Sequence, residues 1–446
     1  MRVRCRRLAR RVKGTVAWEL VYRTNSYLES ALWTVPLIAI VLVLVTVPIL
    51  RRVDHWLGWQ FTDIGAAGAT GLYQTVITLA LSFLVFTFGS LLVAIQVAGG
   101  QLTPRIIATM LLRNNVVRYS VGLFVFALVF GVMALNRQGE TVSQIIAVVA
   151  AILGIACIAN FLFLIDYAAR LLRPVSVVAH VGDDGVEVIR DVYPIGSGDV
   201  MALSAPLRAT LGAPARLVTH VGKAGIVLAV DLPFAVALAR RHGGVIEFLP
   251  QVGDFVAVDD PLFAQYGGAA TIPDHIIRET VAFGVERTLE QDPMFAFRIL
   301  VDIALKALSP AINDPTTAVL AIDQVHRLLR MLGKRALRGE VIADSTGAPR
   351  LIFRTPNWED YVHIACNEIR ACGGGSMQIM RRMRAMIENL LVSLPERRHP
   401  SLLRELRYLD LTIDEKFVLA EDRALARIAD AQGLGGSTVI AGKDRS

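Results

Sequence analysis

The sequence predicts a membrane protein of mixed class. A four-span all-α transmembrane domain is followed by an α+β region, comprising a small β-sandwich-like module and then a helical bundle. Three observations carry this. Of the 446 residues, 54% are hydrophobic and only 19% charged, and the mean hydropathy is +0.51; that apolar excess excludes intrinsic disorder and a wholly soluble globular chain. No charged side chain occurs in residues 30–50, 64–104, 119–136 or 141–165. Beyond residue 171 the pattern changes to short β-rich runs and then to helical periodicity.

A bilayer core of about 30 Å needs roughly 20 apolar residues at 1.5 Å each. The spans are expected at about 32–50, 73–98, 118–136 and 143–166. The second charge-free interval is longer than one span requires. Its opening, Gly65-Ala66-Ala67-Gly68-Ala69-Thr70-Gly71, is poor in large side chains and weakens a helix, so residues 62–72 are expected as an interfacial or re-entrant lead-in. Gly99-Gly100 is the expected stop. A secretory signal peptide is disfavoured for span one, because the apolar run starts about thirty residues in and has no A-x-A cleavage pattern after it.

Charge asymmetry orients the spans. With the N-terminus inside, the inner segments carry eight basic residues before span one, plus Arg105, Arg113, Arg118, Arg170 and Arg173; the outer loops carry only Arg51, Arg52 and Arg137. Both termini are thereby expected on the cytoplasmic side of the membrane. Residues 1–31 form a basic amphipathic segment with eight Arg/Lys against two acids, suited to anionic lipid headgroups. Residues 171–446 hold 31 basic against 33 acidic side chains, so the soluble part is nearly neutral and nucleic acid is not an expected partner. Four cysteines with no CxxC pair exclude a disulfide framework.

Within span two, Thr75, Ser82, Gly89 and Gln96 recur every seven residues, and Thr78 lies close to the same face. Small and hydroxyl side chains on one stripe suit close helix packing; several copies of the chain could instead set the stripe around a polar pathway. In span four, Ala150 and Gly154 form a small-xxx-small pair. Asp166, at the inner end, is expected to pair with Arg170.

Residues 171–272 are read as the β-rich, barrel-sandwich-like module. Strands are expected at Val175–His180, Gly185–Ile189, Gly225–Val230 and Gly244–Leu249, with helical pieces near Asp199–Leu211 and Pro233–His242. The run Val252 to Phe263 resembles the closing turn of biotinyl/lipoyl-type domains, but no lysine occupies a hairpin tip, so no attached cofactor is expected. Residues 273–432 read as mainly helical: Asp274–Leu289, Pro293–Leu308, a helix after Pro315 to Leu332, Trp358–Arg370, Ser376–Ser393 and Pro400–Ala429. A hairpin over 341–354 interrupts them, Cys372-Gly373-Gly374-Gly375 is a flexible link, and 433–446 are a loose tail. Arg298, Asp302 and Lys306 form an i+4 ladder of alternating sign. In Ser309–Thr317, Asp314 is placed to cap the following helix with Pro315 at its first position. The free N–H groups there, with Asn313 and Thr316, also offer a polar ligand site.

The motifs Gln96–Arg105 (QVAGGQLTPR) and Arg287-Thr288 with Gln291-Asp292, leading into VDIALKALSPAINDPTTA at 301–318, resemble a bacterial family of predicted integral membrane proteins of unknown function. The likeness extends from about residue 30 to 430, with Ala296 and Ala311 where the family pattern has glycine. It implies the architecture and no activity.

Two readings of function follow, and a third is weaker. The first is an oligomeric channel or conductance protein, a homo-oligomer controlled by its cytoplasmic domain. The second is a membrane-anchored ligand sensor or scaffold. An enzyme is not expected: the eight His and four Cys show no metal-ligand spacing, and neither G-x-S-x-G nor H-E-x-x-H occurs. Arg287, Gln291, Asp292, Arg298, Asp302, Lys306, Asn313, Asp314 and Thr316 are the candidate ligand or structural residues.

Overall fold

The computed structural model describes residues 33–57, 64–101, 115–138, 142–171, 173–193, 204–337 and 340–436. The basic segment 1–31, the LTPR half of the first family motif and most of the 433–446 tail lie outside the described residues. One compact unit is Asn25–Ser176; a second contains Val177–Ser446.

The first unit has four helices long and apolar enough to cross a bilayer: α1 (Thr34–Leu57), α2 (Ala66–Gln101), α3 (Asn115–Asn136) and α4 (Gln144–Leu171). Its core joins Val43, Val47, Tyr73, Phe130 and Ile146 at one level, and Val76, Val121, Phe124 and Cys157 at another. Phe83 stacks on Phe161 with ring centres 4.1 Å apart. Buried Ala69, Ala80, Ala127, Ala134 and Ala150 sit where helices meet, since small residues let backbones close up in lipid. Polar groups tie one end together: Arg51 donates to the Arg137 carbonyl, Gln138 to the Ala66 carbonyl, and Asp54 accepts from the Ile145 N–H. Outside, large apolar side chains stay exposed, among them Val85, Leu92, Ile155 and Leu162. Asp166 pairs with Arg170 at 3.0 Å.

The lead-in expected over 62–72 is corrected. From Ala66 onward the chain is continuous helix, and it passes through Gly99 and Gly100 to Gln101. Hydrocarbon offers backbone groups no other partner, which outweighs the weak propensity of Gly68 and Gly71.

In the second unit α5 (Pro174–Val192) and α6 (Ser204–Leu211) come first. The strands expected at 175–180 and 185–189 are thus one helix. Its buried set, Val177, Val178, Val181, Gly182, Gly185, Val186, Val188 and Ile189, keeps a helical period, and packing overrides the β preference of its valines. Then follow β1 (Arg216–Thr219), β2 (Gly225–Val230), α7 (Leu232–His242), β3 (Gly244–Phe248), β4 (Phe255–Val256), β5 (Pro261–Gly267), α8 (Asp274–Arg278) and β6 (Val281–Gly284). The long helix expected over 274–289 is corrected to α8 plus β6. Val281–Gly284 hydrogen-bonds to one side of β2, a partner invisible to local periodicity.

Next come α9 (Pro293–Ala307), α10 (Pro315–Gly333), β7 (Val341–Ala343) and β8 (Pro349–Phe353), then α11 (Trp358–Gly373), α12 (Met377–Ser393), α13 (His399–Lys416) and α14 (Ala420–Ala426). The single helix expected over 400–429 breaks at Phe417, which is extended. The 373–375 link is a tight turn, with Gly373 packed against Ile379.

Two sheets result, ordered β1-β5-β3-β8-β7 and β4-β2-β6. Every pairing is antiparallel except β3 with β8. Strands from beyond residue 272 complete both sheets, so the β-structure does not end where the composition changes. Phe248, Phe263, Phe353 and Ile246 join Ala235, Leu238, Val227, Val230 and Val281 in one core. β4 and β5, consecutive in the chain, lie in different sheets, with Asp259 left-handed at φ 69° in the turn between them.

Buried guanidinium groups hold the helical part. Arg381, wholly buried, donates to the Ile428 and Gly435 carbonyls. Arg398 lies over the Trp358 ring at 5.3 Å, and that indole donates to the Arg398 carbonyl. Arg335 donates to the Tyr193 carbonyl.

The α5 helix meets the α9–α10 pair closely at Gly185, where an added Cβ would stand 2.9 Å from Leu328 Cδ1 and 3.0 Å from Ala296 Cβ. Ala296, one of the two departures from the family pattern, is therefore accommodated by a glycine opposite. Gly185→Leu should destabilise the protein by about 1–3 kcal/mol through overpacking. Denaturant melts of the detergent-solubilised chain test this, and an unchanged midpoint would refute the α5 placement.

Candidate functional site

Two regions collect the residues singled out by sequence. The first is the outer face of α2. Thr75, Thr78, Ser82, Gly89 and Gln96 are all exposed, whereas Ala69, Tyr73, Val76, Ala80 and Thr87 are buried on the opposite side. The chain's own bundle therefore leaves the stripe uncovered. Gln74, missed in the sequence, is also exposed and belongs to this face at 100° per residue. The Thr75 and Thr78 hydroxyls donate back to the Gly71 and Gln74 carbonyls, each at 2.8 Å. The Gln74 and Gln96 side-chain amides make no hydrogen bond among the described residues.

The second region is the loop from Val285 to Asp292 and the two helices after it. Asp292 caps α9, its carboxylate accepting from the Phe295 N–H at 3.1 Å, with Pro293 in the first turn. Gln291 accepts from the Val230 N–H at 3.1 Å and fastens the loop to β2. Gly253 makes the approach possible: at φ +94°, its absent Cβ would lie 2.7 Å from Asp292 Oδ2 and 3.3 Å from the Arg287 guanidinium carbon. Arg287 lines an open cleft of about 510 Å³ with Leu249, Pro250, Asp254, Phe255 and Asp260. The Thr288 hydroxyl is buried and has no hydrogen-bond partner among the described residues. Burial pushes the Asp292 carboxyl up to about 6; Arg287 and the helix N–H groups oppose this, and Asp254 adds to it.

The expected ladder on α9 takes a different form. Arg298 pairs with Asp302 at i+4, then crosses to Glu368 on α11 with two hydrogen bonds. That pairing holds the Glu368 carboxyl below its ordinary range. Lys306 is exposed and outside the network, because a second carboxylate from another helix completes the coordination of Arg298. Glu368 lies seventy residues away in the chain, and no local signal points to it.

The Ser309–Thr317 segment is a capping turn. Asp314 accepts from the Thr317 N–H at 3.0 Å and from its hydroxyl. Asn313 is left-handed at φ 48°, and its N–H donates to Ser309. Thr316 and Asn313 are exposed. Asp314 places negative charge where an anion would sit, which disfavours one there. The three groups along α9 and α10 are each satisfied locally and do not converge. Among the described residues no set of three or more His, Cys, Asp or Glu side chains is placed to hold a metal ion.

Four helices long and apolar enough to span a bilayer, followed by an α+β region, define a multi-pass membrane protein. Residues 29–389 match the family described as "Predicted membrane protein (DUF2254)", and the chain belongs to that family. Similar proteins include the uncharacterized proteins Rv1290c of Mycobacterium tuberculosis and Mb1321c of Mycobacterium bovis. Each is 25% identical over 368 residues, covering 78% of this chain and 69% of the relative. No solved structure matches the chain.

Asp292 supplies a pH test. Its folded-state value lies above that of an unfolded aspartate, near 3.9. Its contribution to stability is therefore fully present below about pH 4 and lost as pH rises through about 6. Asp292→Asn keeps a capping acceptor and should flatten the dependence of melting temperature between pH 4 and 7. Parallel curves for the two proteins would contradict this assignment.

Proposed function

We propose that the protein is a homo-oligomeric channel or conductance protein, not an enzyme, in which copies of α2 surround a polar path controlled by the C-terminal region. The observation that carries the reading is the uncovered face with Gln74, Thr75, Thr78, Ser82, Gly89 and Gln96. Threonine hydroxyls that bond back to their own helix tolerate lipid. An amide without a partner in hydrocarbon costs roughly 4–8 kcal/mol on transfer from water. A second copy, or water enclosed by several copies, removes that cost. The charge asymmetry of the loops supports a bacterial inner-membrane protein with both termini cytoplasmic. In that arrangement the basic N-terminal segment meets anionic lipid headgroups.

A ligand sensor or scaffold without transport is the alternative. The cleft of Arg287, Asp254 and Asp260 favours it, because opposed charges at an open cleft orient a small polar ligand.

Thr78→Cys and Ser82→Cys, in a background with the native cysteines replaced, separate the two readings. For a channel, a membrane-impermeant methanethiosulfonate modifies both positions in liposomes and reduces ion flux at least tenfold. Labelling by lipid-soluble reagents alone, with no flux through unmodified protein, would remove the channel reading.

A further inference from the structure

A cleft of about 420 Å³, away from the residues above, is lined by Asp323, His326, Arg327, Arg330, Met331 and Lys334. All six lie on α10 or just past its end, and Arg327, Arg330 and Lys334 are exposed. At 100° per residue, positions 327, 330 and 334 share one helix face. The opposing charge is already engaged. Asp323, the sole acid in the lining, pairs with the buried Arg382 of α12 at 2.6 Å, and Arg327 reaches Asp183 of α5 at 2.8 Å. Arg330 and Lys334 have no ion-pair partner among the described residues.

Complementing the negative end of α10 does not account for these two cations. Arg398 already does so, donating to the Gly333 and Arg335 carbonyls at 3.4 and 3.1 Å. The Arg335 N–H donates to the Leu332 carbonyl at 2.9 Å. Nor is His326 a third cation. Arg382 donates to its Nδ1 at 3.2 Å, so the proton sits on Nε2, which faces Asn389 Oδ1 at 3.0 Å. Burial and the charges of Arg382 and Arg330 favour that neutral ring. The cleft thus holds two uncompensated cations at its mouth, a neutral imidazole held by α12, and the apolar wall of Met331.

We propose that this cleft binds a phosphate-bearing anion, with the Arg330 guanidinium bonding the phosphate oxygens in a fork and Lys334 adding a point charge. Its volume is that of a small-molecule site, and the Met331 wall suits a ligand with an apolar part next to its phosphate. Either a soluble phosphate compound or an anionic lipid headgroup presents this chemistry.

The test uses the full chain in detergent, followed by native mass spectrometry at low salt. The probes are pyrophosphate, dihexanoyl-phosphatidylglycerol and, as zwitterionic reference, dihexanoyl-phosphatidylcholine. The wild type binds pyrophosphate or the glycerol lipid in preference to the choline lipid. Arg330→Gln/Lys334→Gln weakens that binding at least tenfold, and Lys334→Gln alone at least threefold. Arg240→Gln/Arg241→Gln, which removes two exposed cations elsewhere, leaves it within twofold. Loss confined to pyrophosphate identifies a soluble ligand, and loss confined to the glycerol lipid identifies a headgroup. The proposal is overturned if the wild type shows no preference for either anionic probe. It is equally overturned if the Arg330 and Lys334 variants bind like wild type, or if the Arg240/Arg241 variant loses as much.

Discussion

Hydrocarbon cannot hydrogen-bond a peptide group, and the membrane unit is organised by that fact. It keeps α2 helical through Gly68, Gly71, Gly99 and Gly100, where propensity alone would end it. It also turns the Thr75 and Thr78 hydroxyls onto their own carbonyls. The side-chain amides of Gln74 and Gln96 find no such partner among the described residues. Their exposure on the outer face leaves polar groups for something else to satisfy.

The second unit meets the same difficulty in protein interior instead of lipid, and meets it with ions. Asp231, Asp292 and Asp314 each close the start of a helix with a side-chain acceptor and a proline in the first turn. Elsewhere, guanidinium groups take backbone carbonyls: Arg381 those of Ile428 and Gly435, Arg398 those of Gly333 and Arg335. Each buried charge then depends on its partner, since removing one leaves the other stranded. A near-neutral count over 171–446 is consistent with many of these charges being paired. Against that background, Arg330 and Lys334 stand out as cations whose obvious structural task another arginine performs.

The candidate site was legible where its chemistry is local. The Asp-Pro pairs at 292–293 and 314–315 announce helix starts, because cap and first turn are neighbours in the chain. The i+4 spacing of Arg298 and Asp302 announces their contact. Glu368, which completes that contact, and Gly253, which makes room for Asp292, are distant in sequence and became visible only when β4, α9 and α11 were brought together. The charge-bearing face of α10 carries no such local signal: a cation near a helix end complements the dipole in any sequence, and Arg398, which bonds the carbonyls there, lies 65 residues beyond Gly333.

Hydropathy by itself determined the four membrane helices, since about twenty uncharged residues can do little else in a chain of this composition. It also determined the strongly periodic helices α9 to α12, whose apolar faces repeat without interruption. Tertiary structure decided the rest. The valine-rich segment 177–189 became a helix because α9 and α10 offer it a groove. Val281–Gly284 became a strand because β2 had an unpaired edge, and β8 joined β3 in parallel across a hundred residues. Short segments carry too little local free energy to choose their own conformation, and the partner that chooses for them is set by packing far away in the chain.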